Sequence, residues 1–258
     1  MRVFKTVYGA IAYAIFFATF VYAMGFVGNL IVPKSIDIGL PAGAHAGSMA
    51  MSMLIDVLLL GIFAVQHSVM ARPAFKRWWT RIVPAVIERS TFVLLASFAL
   101  LYIFLEWRPI AGTVWDLSGT PAGMALAACS AGGWLLVLVA TFQIDHFELF
   151  GLKQVWRHLR GQRPVQPEFR VPVLYRHVRH PIYLGFMLAF WCTPVMSLGH
   201  LLFAAVTSAY ILVGIAFEER DLIAQFGERY RAYREQVGML LPRLRQRRDA
   251  ARDSTAAR

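Results

Sequence analysis

The feature that most constrains this chain is a run of 36 residues, from Ile182 to Phe217, that contains no Asp, Glu, Lys or Arg. A single straight helix of that length would be roughly 54 Å long, whereas the hydrocarbon core of a bilayer is only about 30 Å thick. The run must therefore fold back, and Pro194 and Gly199 lie near its middle, where a turn costs least. The sequence thus predicts a helical hairpin in the membrane, with both of its charged ends at one surface.

Four further apolar segments precede the hairpin, and the composition agrees, since 58% of the residues are hydrophobic. The first segment follows Arg2 and Lys5 but is too long for a signal peptide, so we interpret it as a retained anchor. The first arm of the hairpin is too short to cross comfortably. We predict an all-α, polytopic membrane bundle of five to six transmembrane segments with a C-terminal helical hairpin. The four preceding segments are Thr6–Pro33, Met49–Met70, Thr91–Leu105 and Leu117–Ile144.

Basic residues fall almost entirely on one set of loops. An excess of Lys and Arg is typical of cytoplasmic loops. We therefore predict an integral protein of the bacterial inner membrane with both termini in the cytoplasm, in contact with the lipid bilayer. The net charge of +11 then reflects topology, and we expect no nucleic-acid partner and no obligate protein partner. Of the 26 basic residues, 24 lie in 1–5, 71–90, 145–181 and 218–258, and two, Lys34 and Arg108, lie in the opposite loops.

Three regions follow from this pattern. Residues 1–144 hold the N-terminal transmembrane helices, and residues 145–242 hold a long loop, the hairpin and an interfacial helix. Residues 243–258 are Arg-rich and polar, and we predict a disordered basic tail. Cys129 and Cys192 lie inside apolar runs, which excludes a disulfide framework or zinc spacing, and we predict no metal site.

The stretch from Tyr175 to Gly185, YRHVRHPIYLG, lies where a basic loop meets the hairpin. Pro181 suits the first position of a helix, whose free N–H groups and positive field favour a carboxylate or a phosphate. The hairpin brings this stretch opposite Glu218 and Glu219, which would bind an ammonium or hydroxyl groups. A basic membrane border and a structural ion pair are the alternative interpretations of these two sets.

The pattern RHPIYLG, an apolar hairpin, EERDL and then FGERYRAYREQV resembles the isoprenylcysteine carboxyl methyltransferase and phospholipid N-methyltransferase superfamily of membrane enzymes. Those enzymes bind S-adenosylmethionine between the two motifs, on the cytoplasmic side. The motifs cover roughly residues 174–242, and TFQIDHFELFGLKQVW at 141–156 narrows the resemblance to the methanethiol S-methyltransferases. The resemblance implies a small volatile thiol as substrate, and dimethyl sulfide and S-adenosylhomocysteine as products.

The same resemblance implies that residues 145–242 form the cofactor-binding core. Arg179 would bind the methionyl carboxylate, and one of the two glutamates the ribose or the ammonium. Gly185 would allow close approach of backbone or adenine, and Tyr230 would close the pocket or pack. The predicted cofactor-binding residues are Arg176, His177, Val178, Arg179, His180, Pro181, Tyr183, Gly185, Glu218, Glu219 and Tyr230.

A thiol reacts as its thiolate, so the acceptor side needs a base or a stabilised anion. Asp145 and His146 follow the fourth apolar segment, level with the cofactor motif, and we predict His146 as the base with Asp145 orienting it. A helix cap that meets lipid headgroups is the alternative. Trp107, Trp191 and Tyr210 are predicted apolar walls of the substrate pocket, although aromatic residues in a span usually only pack.

Two rival classes remain open at the level of sequence. One is an enzyme of the same superfamily that methylates a prenylcysteine carboxylate or a lipid amine. The other is a non-enzymatic membrane protein of transport or assembly. Asp56 and His67 lie in or near the second span, where ionisable groups are functional candidates.

Overall fold

The computed structural model of the chain describes residues 1–39, 48–163, 165 and 168–243, so the predicted basic tail lies, from residue 244 onward, outside the described residues. The described part consists of helices and one two-stranded sheet. The helices are α1 (Arg2–Gly28), α2 (Met49–Ala71), α3 (Pro73–Trp79), α4 (Ala85–Glu106), α5 (Pro121–Ile144), α6 (His146–Leu149), α7 (Leu152–Leu159), α8 (Pro181–Trp191), α9 (Leu198–Phe226) and α10 (Glu228–Gln236); the strands are β1 (Thr113–Asp116) and β2 (Val195–Ser197).

Five helices in these ranges, α1, α2, α4, α5 and α9, are long and apolar enough to cross a membrane. This confirms the predicted all-α membrane bundle. Helix α4 begins six residues before the predicted apolar segment, because its first two turns carry Glu88 and Arg89. Helix α9 continues past the two glutamates to Phe226, and Gly227 then takes a positive φ of 58° that separates it from α10.

The first arm of the hairpin crosses as a helix followed by a strand. Helix α8 has 11 residues, which gives about 16 Å, roughly half of the hydrocarbon core. The chain then runs extended, and β2 pairs antiparallel with β1. The amide of Leu117 also donates to the carbonyl of Pro194 at 2.9 Å. Extended backbone at this depth needs such partners, and β1 supplies them to β2 after α8 ends.

Helix α8 packs closely against α5. A Cβ at Gly185 would lie 2.7 Å from the carbonyl oxygen of Gly133, and one at Gly133 would lie 2.6 Å from the carbonyl oxygen of Gly185. Small residues let helices approach at backbone distance in membranes. The hydroxyl of Ser130 donates to the carbonyl of Ala189 at 3.0 Å, which ties the same two helices.

One end of the bundle collects most of the polar contacts, and we call it the functional face. The contacts join the starts of α1, α4 and α8 to the ends of α2, α5 and α9. Since α1 starts there and α10 lies there, the described chain begins and ends at the same end of the bundle. The contacts are Thr6 with the Val155 carbonyl, Tyr8 with Thr91, Arg72 with Asp221, the Leu174 amide with Gln143, and Tyr183 with Glu218.

Candidate functional site

The carboxylate of Glu219 lies at the centre of the functional face and is largely buried. Arg179 Nε and Nη2 both lie 2.7 Å from Glu219 Oε1, and His180 Nε2 lies 3.1 Å from the same oxygen. Arg234 Nη1 lies 3.7 Å from Oε2. The side chains of Arg179 and Glu219 are only 8% and 12% exposed. The predicted convergence of the RHP stretch with the acidic pair is therefore present, but Glu219 is occupied by protein cations.

The guanidinium of Arg179 makes further contacts within the protein. Its Nη1 donates to the carbonyl oxygens of Arg234, at 3.1 Å, and of Val237. The backbone after α10 returns to the same stretch, where Val178 pairs with Gly238 and the Arg179 amide donates to the Gly238 carbonyl at 2.8 Å. Arg179 thus joins the C-terminal segment to α9, and these contacts occupy four of its five N–H groups.

Glu218 is placed differently from its neighbour. It is half-buried, and Tyr183 donates its hydroxyl to Glu218 Oε2 at 2.8 Å. Within the described ranges, Glu218 forms no ion pair, although the guanidinium of Arg89 lies within electrostatic range. One carboxylate oxygen and the tyrosine hydroxyl therefore remain able to bind hydroxyl or ammonium groups.

Tyr230 lies in the first turn of α10 and is 2% exposed. Its ring centroid lies 6.1 Å from that of Phe169 and 5.7 Å from that of Tyr233. Burial, followed by the charge of Glu219, raises the pKa of Tyr230 above its usual range. Tyr233 donates to the carbonyl of Tyr175 at 2.6 Å. These contacts pack α10 against the loop, which is the structural alternative considered from the sequence.

The other residues predicted to bind the cofactor are of two kinds: some are exposed at the surface, and others contribute to helix packing. Arg176 and His177 are exposed, and the described bonds of their side chains go to carbonyls of their own loop, at Val171 and Val173. Pro181 is the first residue of α8, as predicted. The close approach at Gly185 is to the backbone of α5, as described above. The structure therefore brings Arg176 and His177 to no common site with Glu218.

Asp145 and His146 are neighbours in the chain but belong to different contacts. Asp145 has a positive φ of 98°, accepts a hydrogen bond from the Glu148 amide at 3.2 Å and pairs with Lys153. Burial raises the pKa of Asp145, but these two hydrogen bonds outweigh it and hold the pKa below its usual value. The carboxylate caps α6 and does not orient the imidazole, so the predicted Asp–His pair is absent.

His146 is buried and both of its ring nitrogens have partners. Tyr13 Oη lies 2.8 Å from Nε2, and Thr141 Oγ1 lies 2.9 Å from Nδ1. Thr141 gives its own proton to the carbonyl of Leu138, at 2.7 Å, so it accepts from Nδ1–H. Nε2 then carries the lone pair, and Tyr13 donates to it. Burial lowers the pKa of His146 from 6.5, which keeps the ring neutral.

The three aromatic residues predicted to line the substrate pocket lie at three different depths in the bundle. Trp107 is fully buried at the opposite end of the bundle, where its Nε1 donates to the Ile36 carbonyl at 3.0 Å. Trp191, the last residue of α8, donates to Ser208 at 2.9 Å. Tyr210 accepts from Ser68 at 3.3 Å, two turns of α9 before Glu218. Of the three, Tyr210 is the nearest to the acidic pair along the chain.

A comparison with protein-family models gives no match, and no solved structure matches the chain. Curated relatives do match. The chain is 53% identical to methanethiol S-methyltransferase 1 of Bradyrhizobium diazoefficiens, over 93% of this chain and 84% of that protein. It is 51% identical to methanethiol S-methyltransferase of Mycobacterium tuberculosis, over 93% of this chain and 97% of that protein. The chain belongs to the methanethiol S-methyltransferase family.

A more distant relative extends the likeness outside bacteria. Nurim of Rattus norvegicus is 30% identical over 68% of this chain and 70% of its own length. Membership of the methanethiol S-methyltransferase family makes this chain a methyltransferase and confirms the narrower resemblance drawn from its motifs. The sequence-based choice of an enzyme over a transport or assembly protein is thereby confirmed.

A cavity of about 350 Å³ opens at the functional face, and sequence reasoning missed the residues that line it. Lys76 and Arg89 were counted only among the basic residues of 71–90, and Glu88 was not considered. A signal was present, because Glu88 and Arg89 interrupt the start of an otherwise apolar helix. The charged and polar lining consists of Lys76, Glu88, Arg89, Asp145, Glu148 and Gln154.

Proposed function

We propose that this chain methylates methanethiol to dimethyl sulfide with S-adenosylmethionine as the methyl donor, at the cytoplasmic face of a bacterial inner membrane. The observation that carries the proposal is the about 50% identity to named methanethiol S-methyltransferases over 93% of the chain. The exposed basic loops support the cytoplasmic placement of the functional face.

The residues of the functional face fit the methyl donor. S-adenosylmethionine carries a carboxylate, an ammonium, two ribose hydroxyls and a sulfonium. Glu218 and the hydroxyl of Tyr183, which bond each other at 2.8 Å, suit the ribose hydroxyls. Oε1 of Glu88 is buried without a hydrogen-bond partner in the described part of the chain, so it can accept a hydrogen bond from a ligand.

When bound, S-adenosylmethionine supplies a methyl group on a sulfonium, which a thiolate attacks in line with the bond that breaks. The protein's task is to hold the donor and accept the thiol proton. His146 is the group that we assign to accepting the proton. Its Nε2 carries a lone pair, and burial lowers its pKa, so the ring is neutral and can accept a proton. Since Tyr13 donates to Nε2, the thiol proton reaches the imidazole through the Tyr13 hydroxyl.

Aromatic rings enclose this acceptor. The ring of Phe142 is stacked on His146 at 4.3 Å, and those of Phe147 and Phe150 lie at 5.4 and 4.8 Å. Apolar surroundings favour the meeting of a thiolate with a sulfonium, because opposite charges are neutralised. They also disfavour a free thiolate, which is why a base close to the thiol is needed.

The test uses purified full-length protein in detergent. Calorimetry should give binding of S-adenosylmethionine, and headspace gas chromatography should detect dimethyl sulfide when methanethiol is added. A farnesylcysteine analogue and phosphatidylethanolamine serve as competing acceptors. Absence of donor binding would contradict the proposal altogether. Binding with methylation of only a prenylcysteine or a lipid amine would retain the donor and replace the substrate.

A further inference from the structure

The 350 Å³ cavity at the functional face lies outside the RHP stretch and the acidic pair. It is an open cavity lined by residues of α3, the first turns of α4, the end of α5, and α6 and α7. Its lining carries both signs of charge, with Lys76 and Arg89 positive and Glu88, Asp145 and Glu148 negative. A zwitterion is the kind of molecule that such a lining recognises.

The guanidinium of Arg89 is held in place by one hydrogen bond, and its other N–H groups have no partner among the described residues. Its Nε donates to the carbonyl of Leu149 at 2.7 Å, which fixes the plane of the fork. Its two Nη groups have no hydrogen-bond partner, and Arg89 has no ion pair, among the residues that the structure describes. A fixed planar fork binds a carboxylate through two parallel hydrogen bonds. Arg179, by contrast, directs four of its five N–H groups to Glu219 and to backbone carbonyls.

Glu88 supplies the opposite charge on the preceding position of α4. Its Oε1 is buried without a partner within the described ranges, and the carboxylate forms no ion pair there. Asp145 and Glu148, by comparison, are paired with Lys153 and Arg157. Glu88 is half-buried, and a buried carboxylate oxygen without a hydrogen-bond partner favours a ligand that donates a hydrogen bond to it. Gln154, whose Oε1 is also buried without a partner, lines the same cavity.

Glu218, in the acidic pair of α9, lies within electrostatic range of this cavity. The carboxylates of Glu88, Glu148 and Glu218 all act on the guanidinium of Arg89. Glu218 also accepts a hydrogen bond from the hydroxyl of Tyr183. An elongated ligand held by Tyr183 and Glu218 at one end would therefore have Arg89 within electrostatic range of its other end.

We propose that this cavity binds the amino-acid end of the methyl donor, with Arg89 on its carboxylate and Glu88 on its ammonium. The inference rests on the proposed function. It reassigns the role that the sequence gave to Arg179, whose guanidinium serves the fold instead. Lys76 adds positive charge on the carboxylate side, and Gln154 accepts a further hydrogen bond from the ammonium.

The test compares two ligands that differ only at the end in question. S-adenosylhomocysteine carries the amino-acid end, and 5′-methylthioadenosine has the same nucleoside and sulfur without it. Calorimetry with Arg89→Gln should show S-adenosylhomocysteine binding weakened about 10- to 100-fold, while 5′-methylthioadenosine binds as it does to wild type. Glu88→Gln should show the same selective loss, and the exposed Arg77→Gln on α3 should change neither affinity.

Each of the other possible results of this experiment contradicts a different claim. If Arg89→Gln and Glu88→Gln bind both ligands as wild type does, the amino-acid end lies elsewhere and only this inference is overturned. If both ligands weaken equally, the two residues support the fold and do not recognise that end. If wild type binds neither ligand, the proposed function is overturned and this inference with it. Retained binding of 5′-methylthioadenosine also shows that a variant is folded.

Discussion

At the residue scale, two adjacent glutamates do different work. Successive residues of a helix point about 100° apart, so Glu219 enters the packed interior while Glu218 turns toward Tyr183. Glu219 balances Arg179 and His180 inside the protein. Glu218 keeps a carboxylate oxygen for a ligand. Sequence reasoning placed both in one binding site because a pattern of two acids cannot show which partner each meets.

Replacing each glutamate should separate affinity from stability. Glu218→Ala should weaken S-adenosylmethionine binding about 10- to 100-fold with little change in melting temperature. Glu219→Ala should destabilise the protein by about 3–5 kcal/mol, because it leaves the buried Arg179 guanidinium without its partner. Calorimetry and thermal unfolding in the same detergent measure the two effects. Equal behaviour of both variants in both assays would contradict this division.

His146 gives a second prediction at the same scale. Its neutral form is the base, and burial lowers its pKa below 6.5, so turnover should rise with pH along a limb centred below 6.5 and be level at neutral pH. His146→Ala should lower turnover about 10²- to 10⁴-fold with donor affinity nearly unchanged.

Tyr13→Phe tests whether the proton passes through the tyrosine. It removes the hydroxyl that favours the neutral ring, so any remaining activity should show its acidic limb at higher pH than wild type does. The control is Tyr102→Phe on the exposed side of α4, which should leave the profile unchanged. A wild-type limb above 6.5, or near-normal turnover of His146→Ala, would place the base elsewhere.

At the scale of elements, the site depends on how α8 sits against α5. Gly133 and Gly185 allow the two backbones to touch, and this fixes the start of α8, where Tyr183 meets Glu218. The strand that follows α8 is held by β1, about eighty residues earlier in the chain. A displacement of α8 along α5 would therefore move the tyrosine away from the acidic pair.

Gly185→Ala should damage this contact. The added Cβ would lie 2.7 Å from the Gly133 carbonyl oxygen and 2.9 Å from the Val137 amide nitrogen, which are backbone atoms that cannot turn aside. Overpacking of this kind costs about 1–3 kcal/mol, visible as a lower melting temperature and weaker donor binding. Gly132→Ala is the matched control, since no atom lies within 4 Å of its Cβ. Equal stability of the two variants would show that α8 is not held at this point.

At the scale of the whole molecule, the features that the bilayer imposes on the fold were predictable from the sequence. The spans and the hairpin follow from hydropathy and length alone, because unpaired backbone is not tolerated in lipid. The pairing of β1 with β2, the bonds from Arg179 to carbonyls beyond α10, and the contact of His146 with Tyr13 were not predictable. Each joins segments far apart in the chain, and local periodicity carries no information about such pairs.

Topology is the property on which every assignment at the functional face depends. The described chain starts and ends at one face, and 19 of the 21 basic residues among the described residues belong to that face. The opposite face holds Lys34 and Arg108, and Lys34 is buried with its ammonium on the Leu105 carbonyl. The basic loops should therefore be cytoplasmic.

A reporter fused after Arg258 should be active only in its cytoplasmic form, and one inserted between residues 117 and 120 only in its external form. S-adenosylmethionine is made in the cytoplasm, so an external C-terminus would leave Glu218 and Arg89 facing a compartment without the donor, and the proposed function would fail.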